Sequence, residues 1–305
     1  MPLIIPNELP AADVLQQENI FIMNRGRAMT QDIRPLKIVI VNLMPTKIAT
    51  ETQLARVLAN SPLQVEMTLV QMDSHEATHI SQEHMDAFYK TLDEIKHEYF
   101  DGMILTGAPV EQMPFEEVDY WEELCDIFEW CKTHVYSNMF ICWGAQAALY
   151  YYHGVHKRLL DEKVFGVFEH DVLRPHNPLV RGFDSVFYAP HSRHTEIVKA
   201  EVTANDNLRI LAESPEVGPH IISTENGRQI FVLGHQEYDR ETLENEYLRD
   251  KNKGLDIKVP ANYFKDDNPD KGIMFRWRAH ANLLFSNWLN YYVYQSTPYD
   301  LSQIK

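Results

Sequence analysis

The chain predicts an α/β fold in which a mostly parallel β-sheet carries helices on both faces. Two observations lead there. From Leu36 onward, short unbroken apolar runs alternate with segments of helical periodicity. Strands covered on both faces read as continuous apolar runs, and strand–helix alternation is the pattern of a parallel sheet. In addition, the run Met139-Phe-Ile141 passes straight into the helical segment Ala145-Gln-Ala-Ala-Leu149 through Cys142, Trp143 and Gly144. Such an abrupt strand-to-helix turn presents a nucleophile at the carboxyl edge of the sheet, where ligands bind.

The elements follow in order. Residues 1–35, with prolines at 2, 6, 10 and 35, read as an irregular extension packed on the main domain and carrying the basic pair Arg25 and Arg27. Strands are expected at 37–43, 65–72 and 100–107, followed by helices at 49–59, 84–97 and 120–134, and then by the Cys142 strand and its helix. Beyond Gly154, strand-like segments fall near 164–168, 185–188, 209–212, 220–223 and 229–233. A helix from 240 to 250, a loop rich in Asp, Asn, Pro and Lys over 253–271, and a closing helix over 276–294 complete a single domain spanning 36–296. Residues 297–305 are left as a tail.

Composition narrows the function. A chain of 305 residues, 45% of them hydrophobic, has enough apolar side chain for a full core. Its net charge of −16 disfavours non-specific nucleic-acid binding. Three cysteines, Cys125, Cys131 and Cys142, suit free thiols in a reducing compartment better than a disulfide framework. No apolar run approaches the roughly 20 residues that span a bilayer, and the first residues lack a signal-peptide pattern, so a cytoplasmic protein is expected. His191 and His194 have a metal-pair spacing, but with no third ligand in view a metal is not expected.

The chemistry centres on Cys142. A thiol at a helix N-terminus meets unpaired N–H groups and the positive end of the helix dipole, which favour thiolate. A buried, inert cysteine is the competing reading. A second segment decides between them: the apolar run Gln229-Ile-Phe-Val-Leu233 ends in Gly234 and then presents His235 and Glu237. Residues two apart on an extended segment share a side, so one strand end offers a base together with a carboxylate to orient it. A Cys142–His235–Glu237 triad is therefore expected.

A cysteine elbow after a parallel strand, followed later by His-x-Glu, resembles the class I glutamine amidotransferases and their flavodoxin-like relatives. Within that group the chain resembles, over nearly its whole length, the homoserine O-acyltransferases of methionine biosynthesis. The matching runs are Ile33-Arg-Pro-Leu-Lys-Ile38, Asn42-Leu-Met-Pro45, Phe100-Asp-Gly102, Thr106-Gly-Ala-Pro109, Cys142-Trp143, Gln146-Ala-Ala148, Pro190-His-Ser-Arg-His194 and Gly234-His-Gln-Glu237. The resemblance implies transfer of an acyl group from coenzyme A to the hydroxyl of L-homoserine through an acyl-cysteine, with no cofactor beyond the acyl-CoA co-substrate and a homodimer as the assembly. It implies substrate contacts at Lys163, Ser192 and Arg249. Backbone N–H groups of Trp143 and of Gly107 or Ala108 are expected to hold the oxyanion.

The resemblance also bears on the acyl group. In the family this position carries glycine in enzymes using succinyl-CoA and an acidic residue in those using acetyl-CoA. Glu111 therefore implies acetyl, and its carboxylate would repel the distal carboxylate of a succinyl group. A succinyltransferase, a glutamine amidotransferase-type hydrolase and a redox-responsive sensor remain as alternatives. Lys47, Arg25 and Arg27 are candidates for the coenzyme A phosphates.

Overall fold

Residues 3–18, 20, 22–28, 33–75 and 80–304 are described by the computed structural model, with Arg25 and Arg27 followed as backbone only. The first elements overturn the expected irregular extension. β1 (Leu3–Ile4), α1 (Pro10–Gln17), β2 (Ile22–Met23) and α2 (Arg25–Ala28) precede β3 (Leu36–Val41), and β1 pairs in parallel with both β2 and β4 (Val65–Val70). The prolines mislead because Pro10 opens a helix, where its missing N–H costs nothing. Between β3 and β4 lies α3 (Lys47–Ala59).

The single helix expected over 84–97 is in fact α4 (Gln82–Phe88), β5 (Tyr89–Lys90) and α5 (Leu92–Ile95). Thr91 interrupts it by capping α5, its hydroxyl and backbone closing a reciprocal box with Glu94. β6 (Phe100–Leu105), α6 (Trp121–His134), β7 (Val135–Ile141) and α7 (Trp143–His153) then follow. The remaining elements are β8 (Lys157–Val172), β9 (Val186–Ile197), α8 (Lys199–Ala204), β10 (Leu208–Ser214), β11 (Gly218–Thr224), β12 (Gln229–Val232), α9 (Thr242–Asn252) and α10 (Arg278–Asn287). A π-helical segment, Trp288–Tyr294, extends α10.

One sheet runs β2-β1-β4-β3-β6-β7-β12-β11-β10-β8-β9, with β5 also on β4. It is parallel as far as the β7–β12 pair and antiparallel beyond it. β3 explains why its apolar run is unbroken. Ile38 and Ile40 pack with Leu54, Leu284 and Trp288 under α3 and α10, whereas Val39 and Val41 pack with Leu124, Phe128 and Ala148 under α6 and α7. Both faces are covered, as expected. At the opposite edge, Arg34 reaches the buried Asp101 carboxylate through two hydrogen bonds of 3.0 and 2.9 Å, which ties the segment before β3 to β6.

The antiparallel wing is larger than the sequence suggested. The expected strands near 164–168 and 185–188 grow into the long hairpin β8–β9, so the Pro190–His194 run is strand. Among the described residues no helix is long and apolar enough to cross a membrane. Within the tail, Ile304 is buried after a short 3₁₀ turn.

Candidate active site

Register brings the two halves of the expected triad together. Ile141 on β7 pairs with Val232 on β12, and the Cys142 N–H donates to the Val232 carbonyl at 2.7 Å. The two neighbouring parallel strands therefore end level, one delivering Cys142 and the other Gly234, His235 and Glu237. Cys142 caps α7 at φ 51° and ψ −114°, a left-handed conformation strained for a side-chain-bearing residue. Gly144 allows the turn to lie against β6: a Cβ there would fall 2.5 Å from the Thr106 carbonyl oxygen and 2.3 Å from Leu105 Cδ2.

His235 is buried and its N–H donates to the Pro190 carbonyl at 2.8 Å. Its Nδ1 lies 2.7 Å from Glu237 Oε1, which leaves Nε2 for the hydrogen bond it makes with the Cys142 side chain. Burial alone would push the imidazole pKa down. The Cys142 sulfur and the Glu237 carboxylate outweigh it and hold the value well above that of an ordinary histidine. Tyr238 stacks on the ring with centroids 4.0 Å apart and planes 11° from parallel. The imidazole is thus held between a carboxylate on Nδ1 and the Cys142 side chain on Nε2.

The backbone N–H groups of Gly107, Ala108 and Trp143 have no hydrogen-bond partner among the described residues. Gly107 passes so near that a Cβ on it would lie 3.3 Å from Cys142 Cβ. Two of the donors expected for an oxyanion, Gly107 and Trp143, thus lie next to Cys142.

Lys163, Ser192 and Arg249 converge on one residue, Glu246. Its Oε1 accepts from Lys163 Nζ at 2.6 Å and Ser192 Oγ at 2.7 Å, with Arg249 Nη2 at 3.8 Å. The Arg249 guanidinium meanwhile grips Asp250 through bonds of 2.6 and 2.9 Å. Lys163 reaches this point because β8 bulges: Leu159 pairs with Thr195, yet Val164 pairs with Arg193.

On the other flank, Glu111 is half-buried and its Oε2 lies 3.2 Å from the Thr195 hydroxyl, which is 2.8 Å from the Gln146 side chain. Lys157 clamps the Glu111 loop by donating to the carbonyls of Glu111 and Met113 at 2.5 and 2.6 Å. Burial pushes its pKa down to about 8.

A homoserine O-succinyltransferase family model matches residues 2–299. The chain belongs to that family. It is 59% identical over 301 residues to the homoserine O-acetyltransferase of Clostridium acetobutylicum, covering 99% of this chain and 100% of that protein. It is 57% identical over 305 residues to the homoserine O-acetyltransferase of Acetivibrio thermocellus, covering 100% of both. Among solved structures it is similar to a glutamine amidotransferase from Thermotoga maritima, with TM-score 0.52 and 10% identity over 84% of this chain and 98% of that one. A glutamine amidotransferase from Methylobacillus flagellatus matches with TM-score 0.52 and 11% identity over 85% and 95%. At such identities the likeness shows the fold, which is the flavodoxin-like, amidotransferase-type α/β sheet expected.

For this member of the homoserine O-succinyltransferase family, sequence reasoning missed Glu246, Tyr238, Arg193 and Lys157. Glu246 was within reach, because it sits three residues before Arg249 on one helix and shares its face. Arg193 is a buried cation whose guanidinium donates to the carbonyls of Thr195 and Val217. Burial lowers its pKa, opposed by the charges of Cys142, Glu196 and Glu111.

Two expectations need correction. His191 and His194 do not form a pair, since three-residue spacing on β9 places them on opposite faces. His191 instead joins His170 and His220 in a buried cluster whose ring nitrogens lie within 4.8 Å of one another. That is a set of three imidazoles of the kind a divalent cation uses. Here His170 Nδ1 donates to the Phe168 carbonyl, so its Nε2 accepts from His191 Nε2 at 3.0 Å. Burial pushes His170 to about 3 and the other two well below the ordinary value, so the three rings are neutral beneath the His235 loop. Lys47 is buried, with its amine on the Asn42 carbonyl and its pKa lowered by burial to about 8, and so does not face a phosphate. The side chains of Arg25 and Arg27 lie outside the described residues.

Proposed function

We propose that the protein is a homoserine O-acetyltransferase that works by a ping-pong acyl-cysteine mechanism. The observation carrying this reading is the contact of Cys142 with an imidazole whose other nitrogen is held at 2.7 Å by Glu237. The Cys142 thiolate attacks the thioester carbonyl of acetyl-CoA, and the oxyanion takes hydrogen bonds from Trp143 and from Gly107 or Ala108. As the intermediate collapses, the carbon–sulfur bond to coenzyme A breaks and His235 Nε2–H protonates the leaving thiolate. Homoserine then enters, neutral His235 takes its hydroxyl proton, and the oxygen attacks the acyl carbon to expel Cys142. Glu237 stabilises the imidazolium at both stages.

Homoserine is a zwitterion, and the cluster around Glu246 has one group for each charge. The Glu246 carboxylate takes the ammonium, while Lys163 and Arg249 take the carboxylate, Arg249 exchanging Asp250 for a ligand of the same shape. Ser192 supplies a hydrogen bond. Glu246→Gln is expected to raise KM for homoserine about tenfold or more, since it leaves a half-buried ammonium unpaired. Acylation by acetyl-CoA alone should change far less. Equal effects on both substrates in steady-state kinetics would refute this placement.

Acetyl is favoured over succinyl by Glu111 and by the names of the relatives. At about 6 Å and an effective dielectric near 20, a second carboxylate would be repelled by about 3 kcal/mol, a ceiling that solvent at the half-buried Glu111 lowers. Glu111→Gly is expected to raise kcat/KM for succinyl-CoA relative to acetyl-CoA by about 10- to 100-fold. An unchanged ratio would remove Glu111 from the acyl pocket. The whole reading is tested by intact mass after incubation with acetyl-CoA and no homoserine. One acetyl adduct, lost on adding homoserine and absent in Cys142→Ala, is expected.

A further inference from the structure

Two separate cavities flank β9, one reached by Glu111 and Thr195 and the other by Lys163 and His194. One, of about 300 Å³, is lined by Glu111, Thr195, Phe115, Tyr150 and the exposed Leu159. The other, of about 410 Å³, is lined by Lys163, Phe165, His194, Asp250, Leu255 and Lys258. The period of two along the strand produces the division: Thr195 faces the first cavity, while Ser192 and His194 share the opposite face, where Ser192 meets Glu246.

Chemistry assigns the two sides differently. In a double displacement one imidazole protonates the departing sulfur and later deprotonates the arriving hydroxyl. The sulfur of coenzyme A and the oxygen of homoserine therefore occupy the same place beside His235 in succession. The acyl substituent points elsewhere, toward Glu111. Homoserine ends at the Glu246 cluster, but the arm of coenzyme A continues past it and needs an outlet. The Lys163 cavity is that outlet: Lys163, which lines it, is bonded to Glu246, and its wall offers Phe165, Leu255 and Ile257. The rim segment 249–258 holds Arg249, Lys251, Lys253 and Lys258 against Asp250 and Asp256, a basic stretch in an acidic chain. Asp161 and Glu162 oppose it on β8, and Lys258 meets Glu162 at 2.5 Å in an exposed pair that a phosphate can replace at little cost.

We propose that the pantetheine arm and phosphates of acyl-CoA lie in the Lys163–Leu255–Lys258 cavity, on the homoserine side of the site, while the Glu111 cavity receives only the acyl tail. This rests on the acyl-cysteine reading above.

The test compares KM for acetyl-CoA with KM for S-acetyl-N-acetylcysteamine, a thioester without the distal arm, in the full-length enzyme. Leu255 is 57% exposed and Leu159 64%, so a charge at either leaves the core untouched. Leu255→Asp and Lys258→Glu are each expected to raise the ratio of the two KM values about fivefold, through repulsion of the phosphates. Leu159→Asp, at the other opening, should keep the wild-type ratio. An unchanged ratio in both rim variants, or a raised ratio in Leu159→Asp, overturns the placement while the function stands. If neither thioester acylates wild-type Cys142, the acyl-cysteine reading itself falls, and this inference with it.

Discussion

Cys142→Ala is expected to lower acyl transfer by at least about 10⁴-fold, because no other group can carry the acyl intermediate. The fold should persist with a modest loss of stability, because His235 loses one of the two charges that support its protonated form. Alanine keeps the Cβ, so the left-handed backbone at φ 51° is as strained in the variant as in the wild type. Removing one sulfur that is 7% exposed leaves only a small void. Thermal unfolding beside initial rates distinguishes this from simple misfolding. Turnover near the wild-type rate in a folded variant would exclude the covalent mechanism.

The second large effect concerns the base. Glu237→Gln should cost about 10²- to 10⁴-fold in kcat, because the amide no longer fixes the Nδ1–H tautomer or stabilises the imidazolium. Its pH signature follows from the raised His235 pKa. Burial opposes the charged ring, and the Cys142 sulfur and Glu237 carboxylate together overcome that opposition. With Glu237 neutralised one of the two supports is gone, so the His235 pKa falls and the alkaline limb of kcat/KM for acetyl-CoA moves to lower pH. Stability follows the same sign. A raised histidine pKa contributes stability that is fully present below the ordinary histidine value and is lost as pH rises through the folded one. The variant should therefore lose stability mainly on the acid side of that window. A kcat loss with an unmoved alkaline limb would show that Glu237 only packs the ring.

How much of this was readable in advance depends on the range of the interactions. Cys142 was legible because a local pattern, an apolar run meeting a glycine and a helix former, dictates a tight turn whatever surrounds it. His235 and Glu237 lie two residues apart in the turn after β12, so their mutual placement is also local, although the extended backbone expected there is not formed. The covering of β3 on both faces was legible in the unbroken run Ile38–Val41. Glu246 was missed although its spacing from Arg249 was visible, because spacing alone does not say that Lys163 and Ser192 arrive from a distant hairpin. Lys163 itself depends on a bulge that shifts the β8–β9 register, and alternation along β8 does not announce it.

The N-terminal segment failed for a related reason. Two-residue strands such as β1 have no periodicity of their own and exist because the edge of β4 offers them hydrogen bonds. The sequence alone determined the α/β class, the tight turn at Cys142 and the nearness of His235 to Glu237 after β12, each carried by a local pattern. Tertiary structure alone decided that the β7–β12 register joins Cys142 to His235, that three distant side chains meet on Glu246, and that β9 separates two cavities. Those facts depend on strand pairing and side-chain packing between segments far apart in the chain, and no local pattern carries that information.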